Sequence, residues 1–78
     1  MPLFMAQTGK EYLIKKISGN EKIKHHLKDL GFVEGCSLYI VTIMNGNLII
    51  QIKDSRIALS RELAEKIIIW IERYRLWH

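Results

Sequence analysis

The sequence has a single cysteine, Cys36, and a single proline, and it has no long run of apolar residues. One cysteine cannot form a disulfide within the chain, which favours a reducing compartment. The longest apolar run, Ile67 to Ile71, is far shorter than the ~20 residues that a helix needs to cross a bilayer. No basic stretch followed by a long apolar one opens the sequence, so we expect no secretory signal and a cytoplasmic location.

The charge is modest and unevenly distributed. The 78 residues carry a formal net charge of +4, and residues 1 to 28 hold six lysines against two glutamates, which accounts for all of it. A basic face can attract nucleic acid, acidic protein surfaces or anionic lipids. The lysines are not interleaved with aromatic residues as in proteins that bind single strands. With 49% hydrophobic residues the chain is predicted to fold as one small domain, residues 1–78.

A strand followed by a helix opens the predicted fold. Tyr12 to Ile17 is rich in strand-forming residues and alternates in part. Ser18 and Glu21 have the spacing of a capping box, and Asn20 is an alternative cap. The pattern predicts a helix from about Glu21 to Leu30.

The end of this helix has the clearest local signal in the sequence. Ile23, Leu27 and Leu30 recur at helical spacing and form one apolar face. Gly31 follows directly and can adopt the left-handed backbone that ends a helix, while Phe32 can fold back over the last turn. We therefore predict that the helix ends at this glycine.

Three strands of an antiparallel meander are predicted next: Leu38 to Met44, Leu48 to Lys53 and Arg56 to Leu59. Asn45-Gly46 joins the first two, and this dipeptide tolerates the two positive φ angles that tight hairpins require. The first of the three strands is apolar at odd and even positions, which predicts that it bends and buries parts of both sides, as strands of small barrels do.

The last segment has two interpretations. Ser60 is a natural cap for a helix that begins at Arg61. Leu63, Ile67, Trp70, Tyr74 and Trp77 form a helical stripe, which favours one continuous helix. The run Ile67 to Ile71 is instead dominated by β-branched residues, which favours a short helix followed by a closing strand. The residues alone leave both open.

Groups that carry out catalysis or bind metals are sparse. No nucleophile with a base, pair of carboxylates or phosphate loop is recognisable, which predicts that the protein is not an enzyme and has no cofactor. His25, His26 and Cys36 are candidate ligands of a metal-sensing module. Adjacent helical residues point about 100° apart, however, whereas helical ligand pairs lie three or four residues apart. The spacing therefore argues against a metal site.

Two motifs resemble the ferrous iron transport protein A (FeoA) family. They are Leu27-x-x-Leu30-Gly31-Phe32-x-x-Gly35 and, after two strands, Arg56-Ile57-Ala58-Leu59-Ser60-Arg61-x-x-Ala64. The resemblance covers essentially Gly9 to Ile71. It implies a mostly β, SH3-like barrel of about five strands, with one helix after strand 1 and a short helix before the last strand. Ile67 to Ile71 would then be a strand, and residues 72–78 a C-terminal tail.

The same resemblance implies an accessory role in ferrous iron uptake. The expected partner is the cytoplasmic GTP-binding part of the large ferrous iron permease (FeoB type). The protein would then be peripheral to the membrane through this partner. We expect the protein itself to be a monomer or weak homo-oligomer. A nucleic-acid-binding barrel and a metal-sensing module remain as alternatives. Exposed loops usually carry partner contacts. We therefore predict a docking surface at the hairpin tip with nearby basic residues, namely Met44, Asn45, Gly46, Asn47, Lys53, Arg56 and Arg61.

Overall fold

The fold is built on five antiparallel strands and two short helices, and the computed structural model describes residues 1–70. The strands are β1 (Glu11–Ile17), β2 (Ser37–Met44), β3 (Asn47–Ile52), β4 (Ser55–Leu59) and β5 (Ile67–Ile69). The two α-helices are α1 (Glu21–Asp29) and α2 (Arg61–Ala64), and a 3-10 helix (Leu3–Met5) precedes β1. This order confirms the predicted arrangement of a helix after the first strand and a short helix before the last.

The strands form a single sheet in the order β4-β3-β2-β1-β5. The meander of β2, β3 and β4 therefore lies on one side of β1, and β5 pairs with its other side. Within residues 1–70 no ladder joins β4 to β5, so the predicted barrel is open along this seam. A bridge between Pro2 and Ile68 places the N-terminal segment against β5.

Alternate side chains of the strands point into one core, which the two helices and the 3-10 helix cover. On β3, Leu48, Ile50 and Ile52 are buried while the residues between them are more exposed. This alternation is the expected pattern of a sheet with one face against a core. The core contains Leu3, Tyr12, Ile14, Leu27, Phe32, Leu38, Ile40, Leu48, Ile50, Ile52, Leu59, Ala64, Ile67 and Ile69.

Only one of the two residues predicted to cap the start of α1 does so. Asn20 Oδ1 accepts a hydrogen bond from the Ile23 backbone N–H at 2.9 Å, which satisfies one of the free donors of the first turn. Ser18 Oγ instead donates to the Lys66 carbonyl at 3.1 Å. Asn20 is therefore the N-cap, and Ser18 ties the beginning of α1 to the turn before β5.

The end of α1 confirms the role predicted for the glycine. Gly31 has φ of 106°, its N–H donates to the Lys28 carbonyl at 2.9 Å, and the Phe32 N–H donates to the Leu27 carbonyl at 2.9 Å. These two bonds define a Schellman motif, in which a hydrophobic contact between the third-last helical residue and the second residue beyond the cap is usual. Leu27 and Phe32 are that pair, and both are buried in the core.

A bulge in β2 explains why its apolar residues occupy odd and even positions. Ile40 pairs with Ile50 and Thr42 pairs with Ile49, so Val41 is an extra residue that shifts the alternation by one. The prediction that the strand buries parts of both sides is only partly right. Leu38 and Ile40 are buried before the bulge, whereas Ile43 and Met44 after it are exposed.

The last segment is a short helix followed by a strand. Ile67 to Ile69 pair antiparallel with β1, and Ser60 Oγ caps the short helix α2 by accepting from the Leu63 N–H at 3.3 Å. The interpretation as a short helix followed by a strand is therefore confirmed over these residues, and a continuous helix is wrong. The strand ends at Ile69, one residue before Trp70, whose N–H still donates to the Leu13 carbonyl at 3.0 Å. Ile71 and the predicted tail at 72–78 lie outside the described residues.

Candidate docking surface

The hairpin between β2 and β3 ends in the two-residue turn that its sequence predicts. Asn45 and Gly46 have φ of 53° and 81°, the two positive values that a type I′ turn requires. Met44 and Asn47 form the last pair of the ladder before the turn. The tip therefore presents its side chains from a regular, paired backbone.

Two large apolar side chains are exposed beside this turn. Ile43 is 52% exposed and Met44 is 57% exposed. Ile43 lies opposite the buried Leu48, so the pairing places it on the core face, but its exposure shows that it lies beyond the part of that face the core covers. Ile43 was not among the residues predicted for the surface. The sequence does contain a signal for it, because Ile43 and Met44 are the two residues that directly precede the Asn-Gly turn.

Lys53 and Arg56 lie at the opposite end of β3 from the hairpin tip. Arg56 pairs with Gln51 near the end of β3, and Lys53 is in the following turn with φ of 52°. A strand rises about 3.3 Å per residue, so Lys53 is about 20 Å from Asn47 along β3. Arg56 Nε donates to Gln51 Oε1 at 3.3 Å, and Gln51 Nε2 donates to the Lys53 carbonyl at 3.0 Å. These two basic residues form a separate cluster.

Arg61 lies at the same end of the sheet as the hairpin tip but already has partners within the chain. It is the first residue of α2, which follows β4 where Leu59 pairs with Leu48. Its guanidinium carbon is 4.9 Å from the centre of the Phe4 ring, and its Nε is 3.9 Å from Glu65 Oε1. The structure thus brings together Met44, Asn45, Gly46 and Asn47, and it separates Lys53 and Arg56 from them.

The candidate metal ligands lie on and after α1. His25 and His26 are both exposed on the helix, and His25 Nε2 is 3.4 Å from Asp29 Oδ2 one turn later. Cys36 is half-buried and packs against the core just before β2. In the part of the chain that the structure describes, no three His, Cys, Asp or Glu side chains are grouped as a metal would require.

Comparison with known proteins gives one consistent result. The family model described as the FeoA domain matches residues 1–70. The chain belongs to the FeoA family. A protein of Methanocaldococcus jannaschii with the provisional name Fe(2+) transport protein A is 37% identical over 68 residues, which are 87% of this chain and 83% of that protein.

Solved structures show the same fold at lower identity. The crystal structure of FeoA from Stenotrophomonas maltophilia, described as an SH3 domain protein in complex with zinc, matches with a TM-score of 0.78 and 22% identity, covering 90% of this chain and 89% of that one. The solution structure of iron(II) transport protein A from Clostridium thermocellum matches with a TM-score of 0.85 and 23% identity, over 94% of this chain and 46% of that one. The SH3-like fold is thereby confirmed.

The helices of this FeoA-family chain are short. α1 has nine residues and α2 has four. Among residues 1–70, no helix is long and apolar enough to cross a membrane. The FeoA family is a family of transport accessory proteins rather than a known enzyme family.

Proposed function

We propose that this protein is a cytoplasmic accessory protein of ferrous iron transport, which docks on the cytoplasmic GTP-binding part of the ferrous iron permease and modulates transport. It acts by binding and has no catalytic activity of its own. Family membership supports the link to ferrous iron transport. The choice of partner is our inference from that membership: an accessory protein of transport acts by binding the transporter, and the part of the permease within its reach is the cytoplasmic one.

The hairpin tip is the proposed docking surface, and the exposure of Ile43 and Met44 is the observation that carries this choice. Transfer of large apolar side chains from water into a partner pocket is favourable, in proportion to the apolar surface that is buried. Anchors of this kind contribute most of the binding energy at many interfaces, while their polar neighbours mainly exclude water. Asn45 and Asn47 flank the anchors and supply amide groups for hydrogen bonds at the rim.

The test is a binding measurement between this protein and the purified GTP-binding domain of the permease encoded in the same genome. We expect Met44→Glu and Ile43→Glu each to weaken binding by about tenfold or more, because a charge replaces a buried anchor. Met5→Glu is the matched control. Met5 is 63% exposed and lies on the 3-10 helix before β1, so the same charge enters at another exposed apolar site.

Circular dichroism of each variant checks that the fold is intact. Equal affinities of Met44→Glu, Ile43→Glu and the unmodified protein would contradict docking through the tip. The double variant Lys53→Glu/Arg56→Glu tests the second cluster separately. A loss of binding confined to this double variant would move the contact to the opposite end of β3. Absence of binding by the unmodified protein would contradict the proposed partner.

A further inference from the structure

A groove lies between α1 and the loop that follows it, away from the hairpin tip. Its volume is about 330 Å³, which is within the range of small binding pockets, about 300–1,000 Å³. It is shallow and widely open to solvent. The groove is lined by Ile17, Lys24, Lys28, Phe32, Val33 and Glu34.

The floor of the groove is apolar because of how α1 ends. The Schellman motif turns Phe32 into the core, where it is only 1% exposed, and the next residue, Val33, points outward with 39% of its surface exposed. Ile17, at the end of β1, is half-buried and packs against the core. An apolar side chain that entered between Ile17 and Val33 would remove both surfaces from water.

The helix side of the groove is basic. Lys24 and Lys28 are one turn apart on α1, and residues four apart lie on the same face. Among the described residues, Lys24 Nζ has one ion pair, with Glu21 Oε2 at 3.9 Å; Glu21 is almost fully exposed, and such a pair contributes little to stability. Within residues 1–70, Lys28 has no ion pair. Two ammonium groups are therefore available beside an apolar floor, with Glu34 alone on the loop side.

We propose that this groove binds a short segment of a protein partner in which an apolar side chain is flanked by carboxylates. The apolar side chain contacts Ile17 and Val33, and the carboxylates pair with Lys24 and Lys28. A backbone N–H or a basic side chain of the segment faces Glu34. This site is independent of the hairpin tip and does not depend on the identity of the transporter partner.

The shape and composition of the groove favour a peptide over the other polyanions that lysines attract. A bilayer surface is broad and flat, whereas Ile17 is half-buried in the groove, so a protruding side chain of a peptide reaches it more readily. Single-stranded nucleic acid needs exposed aromatic faces on which its bases stack, and the aromatic residue of this groove, Phe32, is buried. Glu34 would also repel a continuous phosphate backbone.

The test uses three acidic heptapeptides that differ only in their central residue, which is leucine, phenylalanine or tryptophan, with aspartates on both sides. Each is titrated to about 1 mM into isotopically labelled full-length protein, a range that detects weak binding. We expect at least one peptide to shift the amide resonances of Ile17, Lys28 and Val33. A peptide with alanine at the centre and one with asparagine in place of aspartate should both bind several-fold more weakly.

Variants then locate the site. Lys24→Glu/Lys28→Glu should lower the affinity by about tenfold, because two exposed ion pairs become repulsive. The control is Lys22→Glu, which makes one Lys-to-Glu change on α1 outside the lining residues, against two in the double variant. Affinity should also fall as salt rises.

Three results would overturn the proposal. They are an absence of groove shifts with all three peptides, shifts confined to the hairpin tip, and an equal loss of affinity in Lys22→Glu. Circular dichroism of the variants separates a loss of binding from a loss of fold. Should anionic vesicles or a single-stranded oligonucleotide shift these amides while all peptides fail, the ligand class would be wrong.

Discussion

Replacing Gly31 with alanine should destabilise the fold through backbone conformation alone. At φ of 106° this residue is in a region that side chains with a Cβ rarely adopt. A Cβ there would meet only Ile52 Cγ2, at 3.8 Å, which is an ordinary van der Waals contact. The substitution therefore introduces no clash, and any loss of stability reports the conformational strain of the helix end.

The magnitude follows from two opposing contributions. A residue other than glycine held in such a conformation costs about 1–3 kcal/mol. Alanine also reduces the conformational freedom of the unfolded chain, which offsets about 0.4–1 kcal/mol. With central values of about 2 and about 0.7 kcal/mol for these contributions, the free energy of unfolding should fall by about 1–2 kcal/mol. For a domain of this size, that corresponds to a decrease in Tm of roughly 5–15 °C.

Urea unfolding followed by circular dichroism measures this change, and two further variants test the reason for it. Gly31→Asn should lose less stability than Gly31→Ala, because asparagine tolerates positive φ better. Gly19 has nearly the same φ, 105°, but a Cβ there would be 3.3 Å from Ile23 Cγ2. Gly19→Ala should therefore lose at least as much as Gly31→Ala. If Gly31→Ala unfolded at the urea concentration of the unmodified protein, or if asparagine were as harmful as alanine, the reasoning would be refuted.

Two other substitutions test the cap and the core by the same assay. Asn20→Ala removes the Oδ1 that accepts from the Ile23 N–H and should lower the free energy of unfolding by about 1 kcal/mol, while Asn20→Asp, which keeps an acceptor, should lose much less. Ile50→Ala, at a position with 0% exposure, should lose about 2–5 kcal/mol through lost burial and a cavity. Its neighbour Ile49 is only half-buried, and an equal loss for Ile49→Ala would contradict the assignment of faces on β3.

The features that the sequence predicts correctly are those whose physical cause is local. The Asn45-Gly46 turn requires two positive φ angles, and few other dipeptides accept them. The end of α1 at Gly31 likewise depends on residues within one turn of it. In both cases the side chains that set the conformation are adjacent in the sequence, so the prediction needs no knowledge of the rest of the fold.

The features that the sequence does not predict depend on distant partners. Asn20 rather than Ser18 caps α1 because the Lys66 carbonyl, 48 residues away, takes the Ser18 hydroxyl. The guanidinium of Arg61 packs over the Phe4 ring and lies near Glu65, contacts that the sequence does not indicate. The distance between Lys53 and the hairpin tip is an exception, because the length of β3 alone indicates it and no distant partner is involved.

The bulge at Val41 connects the fold to the proposed docking surface. Before the bulge, Leu38 and Ile40 point into the core from even positions, and the extra residue moves the core-facing side to odd positions. Without it, Thr42 and Met44 would continue the core-facing row. With it, Thr42 pairs with Ile49 on the outer face. Ile43 pairs with Leu48 on the core face, at the end of that face. Core packing thus does not account for the apolar character of Ile43 and Met44, and a partner that covers the tip would supply the missing burial.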